Sequence, residues 1–141
     1  MTTIDFYTSV ADPLRFVAKL VTKAYRSHGC VRVLTSDPDA TTALDRLLWS
    51  EPQQSFLPHC RLASPIASET PVLVDHVLEH AGPAEVLVNL HRDPPPFFSR
   101  FERLAEVVGA DEASLAAGRL RYRFYKERGY ELRQHDWAGR D

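Results

Sequence analysis

Histidines and cysteines are weighed first, because they bind metals and carry nucleophilic and acid–base chemistry. The donors available are His59, Cys60, His76, His80 and His91. His76 and His80 are four apart, which on a helix would suit one metal ion. Here they fall at the end of an apolar, strand-like run and in a turn. Four strand residues span roughly 13 Å, too far for two ligands of one ion. Surface or hydrogen-bonded histidines are therefore expected, and no metal. Cys30 and Cys60 form no Cys-x-x-Cys motif. Nothing suggests an oxidising compartment, so they are expected unpaired, with Cys30 a small hydrophobe before a strand. Ser55 lies four before His59, but no Gly-x-Ser-x-Gly elbow surrounds it. A dinucleotide site needs Gly-x-Gly-x-x-Gly after the first strand; the segment there is Ser9-Val10-Ala11-Asp12-Pro13. A P-loop needs Gly-Lys-Ser/Thr, and none occurs. No residue set converges on catalysis, no cofactor is implied, and a binding module is favoured.

Two constellations could bind a partner. Arg119, Tyr122, Arg123 and Lys126 share one face of a helix, since residues three and four apart are neighbours there. Ala116, Leu120 and Phe124 form a separate apolar face expected to pack on a sheet, with Arg121 and Tyr125 on a third side. The plain reading of the basic face is solvated charge. The functional reading is a surface for a carboxylate, an acidic segment or a phosphate backbone. The second constellation runs from Leu44 to His59. A helix ends at Trp49, and an irregular segment presents Phe56, Leu57 and Pro58. Large apolar residues in such a segment read either as core packing or as interface anchors.

The elements that position these residues follow from periodicity and punctuation. Ile4–Thr8 reads as a strand. Asp12 caps a helix with Pro13 at its first position, Leu14, Val17, Ala18, Val21 and Tyr25 give it one apolar face, and Gly29 stops it. Val31–Leu34 is a strand, and a helix follows through Ala43, Leu44, Leu47 and Leu48 to Pro52. The stretch from Ser55 to Pro71 is the least regular. Pro71–Val74 and Glu85–Leu90 are strands. Asp93 is expected to cap a helix that opens on Pro94-Pro95-Pro96 and continues through Phe98, Phe101, Leu104 and Val108. Asp111 starts a last helix to Gly129, and Tyr130–Arg133 closes as a short strand. Strands alternating with helices predict a three-layer α/β sandwich on a mostly parallel sheet.

The chain has 141 residues with 44% hydrophobic and 26% charged, one domain's worth of ordinary globular sequence. A disordered tail, a collagen and a disulfide miniprotein are excluded. No basic, apolar leader opens the sequence and no apolar run approaches a membrane span, so a cytoplasmic protein without membrane contact is expected. The formal charge is −2, unlike the strongly basic domains that bind nucleic acid in bulk. It divides unevenly. From Arg119 to Arg133 six basic residues meet two acids, +4, which leaves −6 for the rest.

Leu44-Asp45-x-x-Leu48-Trp49 followed by Ser55-Phe56-Leu57-Pro58-His59 resembles the chi subunit family of bacterial DNA polymerase III. An N-terminal strand with Tyr7, the run Arg119-x-x-Tyr122-Arg123-x-Tyr125-Lys126-x-x-Gly129-Tyr130 and a tail with Trp137 are similar too, so nearly the whole chain, 1–141, fits as one domain. The resemblance implies a Rossmann-like α/β domain without a nucleotide-binding loop. It implies a non-catalytic accessory subunit of the clamp-loader assembly that pairs with the psi subunit and holds the C-terminal tail of single-stranded DNA-binding protein, touching DNA only indirectly. It assigns psi contact to Trp49 and Phe56, with Leu57 and Pro58 nearby and a helicase as a further candidate at that surface. It assigns tail contact to Val108, Arg119, Tyr122 and Arg123. The tail in this family is acidic and ends in phenylalanine with a free carboxylate. Arg119 suits the carboxylate, Val108 and Tyr122 suit the ring, and Arg123, Lys126 and Arg121 supply positive field. Leu115 stands where the family often has a further basic residue, and Gly118 is expected to interrupt the helix at a cost of about 1 kcal/mol against alanine, so a shorter or weaker binding face is implied. The rival classes are an α/β enzyme or nucleotide binder with an unrecognised site, and a direct DNA-binding subunit.

Overall fold

The structure, a computed structural model, describes residues 1–50 and 57–139. Pro52, Ser55 and Phe56 lie outside the described residues. Seven strands form one sheet: β1 (Thr3–Val10), β2 (Val31–Leu34), β3 (His59–Cys60), β4 (Val72–Asp75), β5 (Val86–Asn89), β6 (Arg103–Gly109) and β7 (Leu132–Asp136). Their order across the sheet is β3-β4-β2-β5-β6-β1-β7, and every pairing is parallel. Three helices cover it: α1 (Pro13–His28), α2 (Pro38–Ser50) and α3 (Glu112–Glu127). This is the expected α/β sandwich, with the sheet wholly rather than mostly parallel.

Local chemistry explains the boundaries. Asp12 accepts from the Arg15 N–H, Pro13 opens α1, and Gly29 closes it with φ 85°, donating to the Tyr25 carbonyl. Asp111 caps α3 through the Ser114 N–H. β2, β4 and β5 are buried at all four positions, as parallel strands covered on both faces must be. α1 and α2 pack Val17, Val21, Leu44 and Leu48 against Val31, Val33, Val72 and Val88 on one face. On the other, α3 and the turn around Phe98 enclose Ile4, Phe6, Leu34, Leu87 and Leu104.

The helix expected from Pro94 to Val108 does not exist. A single 3-10 turn, Phe98–Arg100, is followed by β6. The spacing of Phe98, Phe101, Leu104 and Val108 imitated a helical face. Within Leu104–Gly109, Glu106 is the one charged residue of an otherwise apolar run. In the structure Glu106 is fully buried. Its carboxylate accepts from Arg121 Nε at 2.8 Å, Tyr125 Oη at 2.5 Å and Asn89 Nδ2 at 2.9 and 3.0 Å. The Asn89 amide is oriented by the His91 N–H, which donates to its oxygen. Burial pushes the Glu106 carboxyl up, and the Arg121 guanidinium with the hydrogen-bond donors opposes that. Four donor contacts aimed at two oxygens describe a carboxylate.

The same network corrects α3. Ala116 and Leu120 face solvent, Leu120 at 64% exposure, while Gly118, Arg121 and Tyr125 turn inward. The inward face was disguised because its anchors are an arginine and a tyrosine recruited by Glu106. Gly118 does not interrupt the helix. A Cβ there would lie 2.9 and 3.0 Å from the two methyls of Val108, so glycine is what lets α3 settle on β6.

Glu106→Ala should cost about 3–5 kcal/mol by leaving Arg121 buried without its partner; a urea unfolding loss under about 1 kcal/mol would discard this account of the network. Gly118→Ala gains about 1 kcal/mol of helix propensity but forces the Val108 contact, an overpacking cost of about 1–3 kcal/mol. Net destabilisation is expected in the same assay, relieved in Gly118→Ala/Val108→Ala.

Candidate functional site

A groove of about 730 Å³ opens between the flank of α3 and the β1–β7 edge of the sheet. Val108, Arg119, Tyr122, Arg123 and Lys126 all line it, so residues from β6 and four positions of α3 meet at one place. The floor is apolar. Phe6 and Val108 are 1% and 2% exposed, and the Tyr122 ring meets Phe6 edge-on at 5.3 Å. The bare backbone of Gly118 and the side chain of Leu115 continue it. The rim is cationic. Arg119 and Arg123 are exposed and make no hydrogen bond or ion pair within the described residues, and Lys126 Nζ sits 5.9 Å from the Tyr122 ring centre. β7 supplies the opposite wall with Gln134 and Asp136. Asp136 is the one acid among the described lining residues, and its carboxylate accepts from the Ala138 N–H.

An apolar slot beside three cations can take a ligand that carries an aromatic or aliphatic group next to negative charge. Arg121 is not part of it. Its guanidinium is 4% exposed, paired with Glu106 and donating to the Arg92 carbonyl. Leu115, which stands where the resembled family often has a basic residue, extends the apolar floor. Phe6, Gln134 and Asp136 were missed by sequence reasoning, because only the β6-β1-β7 pairing brings them beside α3. The mid-helix Gly118 was the available signal of close approach.

The second constellation divides. Trp49 is 58% exposed near the end of α2, and Pro58 is exposed. Leu57 is 5% exposed and packs in the core with Leu44 and Leu48, so it is not presented at the surface as expected. The Trp49 and His59 rings lie 4.7 Å apart. His59 Nδ1 donates to the Leu57 carbonyl at 2.7 Å, which holds the chain beneath Trp49.

The remaining histidines serve local structure. His80 Nε2 donates to the Pro83 carbonyl and His76 Nδ1 lies 3.4 Å from Asp75. Among the described residues no three His, Cys, Asp or Glu side chains gather as metal ligands, and both cysteines are unpaired. Buried Arg32, its pKa pushed down to about 10 by desolvation with Asp75 opposing, donates to the Val77 and Glu79 carbonyls and ties down the loop after β4. Among the described residues no helix is long and apolar enough to cross a membrane.

Comparison with known proteins agrees across the chain. The family described as DNA polymerase III chi subunit, HolC, matches residues 1–133. The DNA polymerase III subunit chi of Pseudomonas aeruginosa is 36% identical over 139 residues, covering 96% of both chains. That of Escherichia coli K12 is 23% identical over 137 residues, covering 96% of this chain and 91% of its own. An all-parallel α/β domain, a cationic groove and similarity of this extent lead to one assignment: the chain belongs to the DNA polymerase III chi subunit family, an accessory component of the replicative polymerase.

Proposed function

We infer that the protein is a non-catalytic adaptor of the DNA polymerase III holoenzyme. It joins the psi subunit on the clamp-loader side to the C-terminal tail of single-stranded DNA-binding protein. The observation that carries this reading is the groove beside α3. An acidic peptide ending in phenylalanine needs an apolar slot for its ring, a donor for its terminal carboxylate and positive field for the acids before it. Phe6, Val108 and Tyr122 supply the slot, Arg119 a bidentate donor, and Arg123 and Lys126 the field. Each exposed charge pair contributes about 0–1 kcal/mol, so the affinity is modest and falls with salt. The psi contact is assigned to the exposed Trp49 and Pro58, with Phe56 from the segment between them, and a helicase is a further candidate at that surface.

Titrating a synthetic acidic peptide with a C-terminal phenylalanine should show binding by wild type and weakening of at least about fivefold in Arg119→Ala, equivalent to ~1 kcal/mol. Amidating the peptide's C-terminus should remove the difference between the two proteins. Unchanged binding by Arg119→Ala would sink the role of that residue. Phe56→Ala should lower co-purification with psi and leave peptide binding intact.

A further inference from the structure

The groove beside α3 ends on an open sheet edge. β7 is the last strand on that side of the sheet among the described residues, and its register with β1 runs unbroken from Leu132 to Asp136. Backbone groups of successive strand residues point alternately to the two sides of the strand. The Trp137 N–H donates to the Thr8 carbonyl at 2.8 Å, so the backbones of His135 and Arg133 also face β1. Those of Leu132, Gln134 and Asp136 face outward, and their N–H and C=O groups meet no partner among the described residues. β7 contains neither proline nor glycine, and Gln134 and Asp136 are exposed. An unblocked edge of this kind is a template for another extended chain.

The edge runs level with the cations of α3. The helix runs against the strands: Gly118 meets Val108, whereas Tyr125 reaches back to Glu106 and Tyr122 meets Phe6, the register partner of Gln134. Arg119 therefore lies toward the Asp136 end and Lys126 toward the Leu132 end. Arg119 to Lys126 spans roughly 10 Å of helix, and Leu132 to Asp136 roughly 13 Å of strand. Gln134 and Asp136 thus form the groove wall and the open edge at once. Two acids lie here. Glu131 precedes the strand, and the Asp136 carboxylate accepts from the Ala138 N–H.

We propose that an acidic peptide held in the α3 groove pairs with β7 as an eighth, parallel strand. The proposal rests on reading that groove as a peptide site. Alternate backbone groups of the peptide complete Leu132, Gln134 and Asp136. Its acids face Lys126 and Arg123, and its last residue turns over β7 into the slot beside Arg119. The cations set the direction, because a terminal carboxylate at Arg119 places the peptide's C-terminus at the Asp136 end. The edge also favours this occupant. A sugar–phosphate backbone carries acceptors without regular donors and would leave the β7 carbonyls unmatched. A second copy joined β7 to β7 about a two-fold axis would set two groups of Arg119, Arg123 and Lys126 across one seam, a like-charge juxtaposition.

The test uses the full chain, isotope-labelled for NMR, and a short polyaspartate ending in phenylalanine. Saturating peptide should slow amide exchange of Leu132, Gln134 and Asp136 at least tenfold, and that of Arg133 and His135 less. Replacing one peptide amide by an ester should weaken binding about fivefold at alternate positions and leave the positions between them unchanged. Gln134→Pro removes an outward N–H and no bond to β1, and should bind about fivefold more weakly than Gln134→Ala, which keeps it. A thermal melt checks that both fold, and the ester series needs no variant. A nitroxide on the peptide's N-terminus should broaden Leu132 more than Asp136. Insensitivity to every ester, or no protection at β7, while Arg119→Ala still weakens binding, overturns the added strand and leaves the groove. No binding at all overturns both. Broadening strongest at Asp136 overturns the parallel arrangement. Protection by oligo-dT in place of the peptide would give the edge to nucleic acid, and protection that rises with protein concentration alone would give it to a second copy.

Discussion

The structure depends on a carboxylate with no access to water. Glu106 is fully buried on β6, and desolvating its charge is tolerable only because Arg121, Tyr125 and Asn89 all donate to it. That requirement sets the rotation of α3 about its axis. With Arg121 and Tyr125 committed inward, Arg119, Tyr122, Arg123 and Lys126 are carried to the flank, where they border the groove. Shape reinforces the electrostatics, since the bare face of Gly118 against Val108 sets how near the helix approaches. Network and contact fix two different coordinates, the helix's rotation and its height above the sheet.

Much of the architecture was legible along the chain. Strand β2, the caps of α1 and the extent of α3 follow from hydrophobic runs, Asp-Pro and Asp-x-x-Ser signals and terminal glycines, all of which act over a few residues. The failures cluster where tertiary contacts override that local logic. β6 read as a helix because Asp93, the proline run and the spacing of Phe98, Phe101, Leu104 and Val108 imitate a capped helical face. α3 was rotated in the reading because an arginine and a tyrosine do not look like core. The five groove residues could be gathered on paper only through family resemblance, since Val108 and the α3 residues meet through packing of β6 on a helix. The wall from β7 and the floor from Phe6 need the sheet order itself.

Charge is arranged by face rather than by amount. α1 and α3 both carry exposed cations, and of the described acids beside them Asp12 and Asp111 cap helices, Asp5 pairs with Arg133, and Asp136 accepts from the Ala138 N–H. A formal charge of −2 is therefore compatible with a locally cationic groove beside α3. Long-range repulsion from the acidic remainder is screened within about 8 Å at physiological salt, so the groove acts through its own neighbourhood.

The place of β1 has a temporal consequence. It comes earliest of the described strands, yet among the described residues its strand neighbours are β6 and β7, whose pairing residues lie about a hundred or more positions later. During synthesis β2, β4 and β5 can assemble under α1 and α2 while the N-terminal strand still has no edge to join. The groove beside α3 borders β1 and β7, so it does not exist until residues 132–136 are free of the ribosome and the sheet closes around β1. Loop closure of that length slows folding, and a nascent or truncated chain lacks the complete groove.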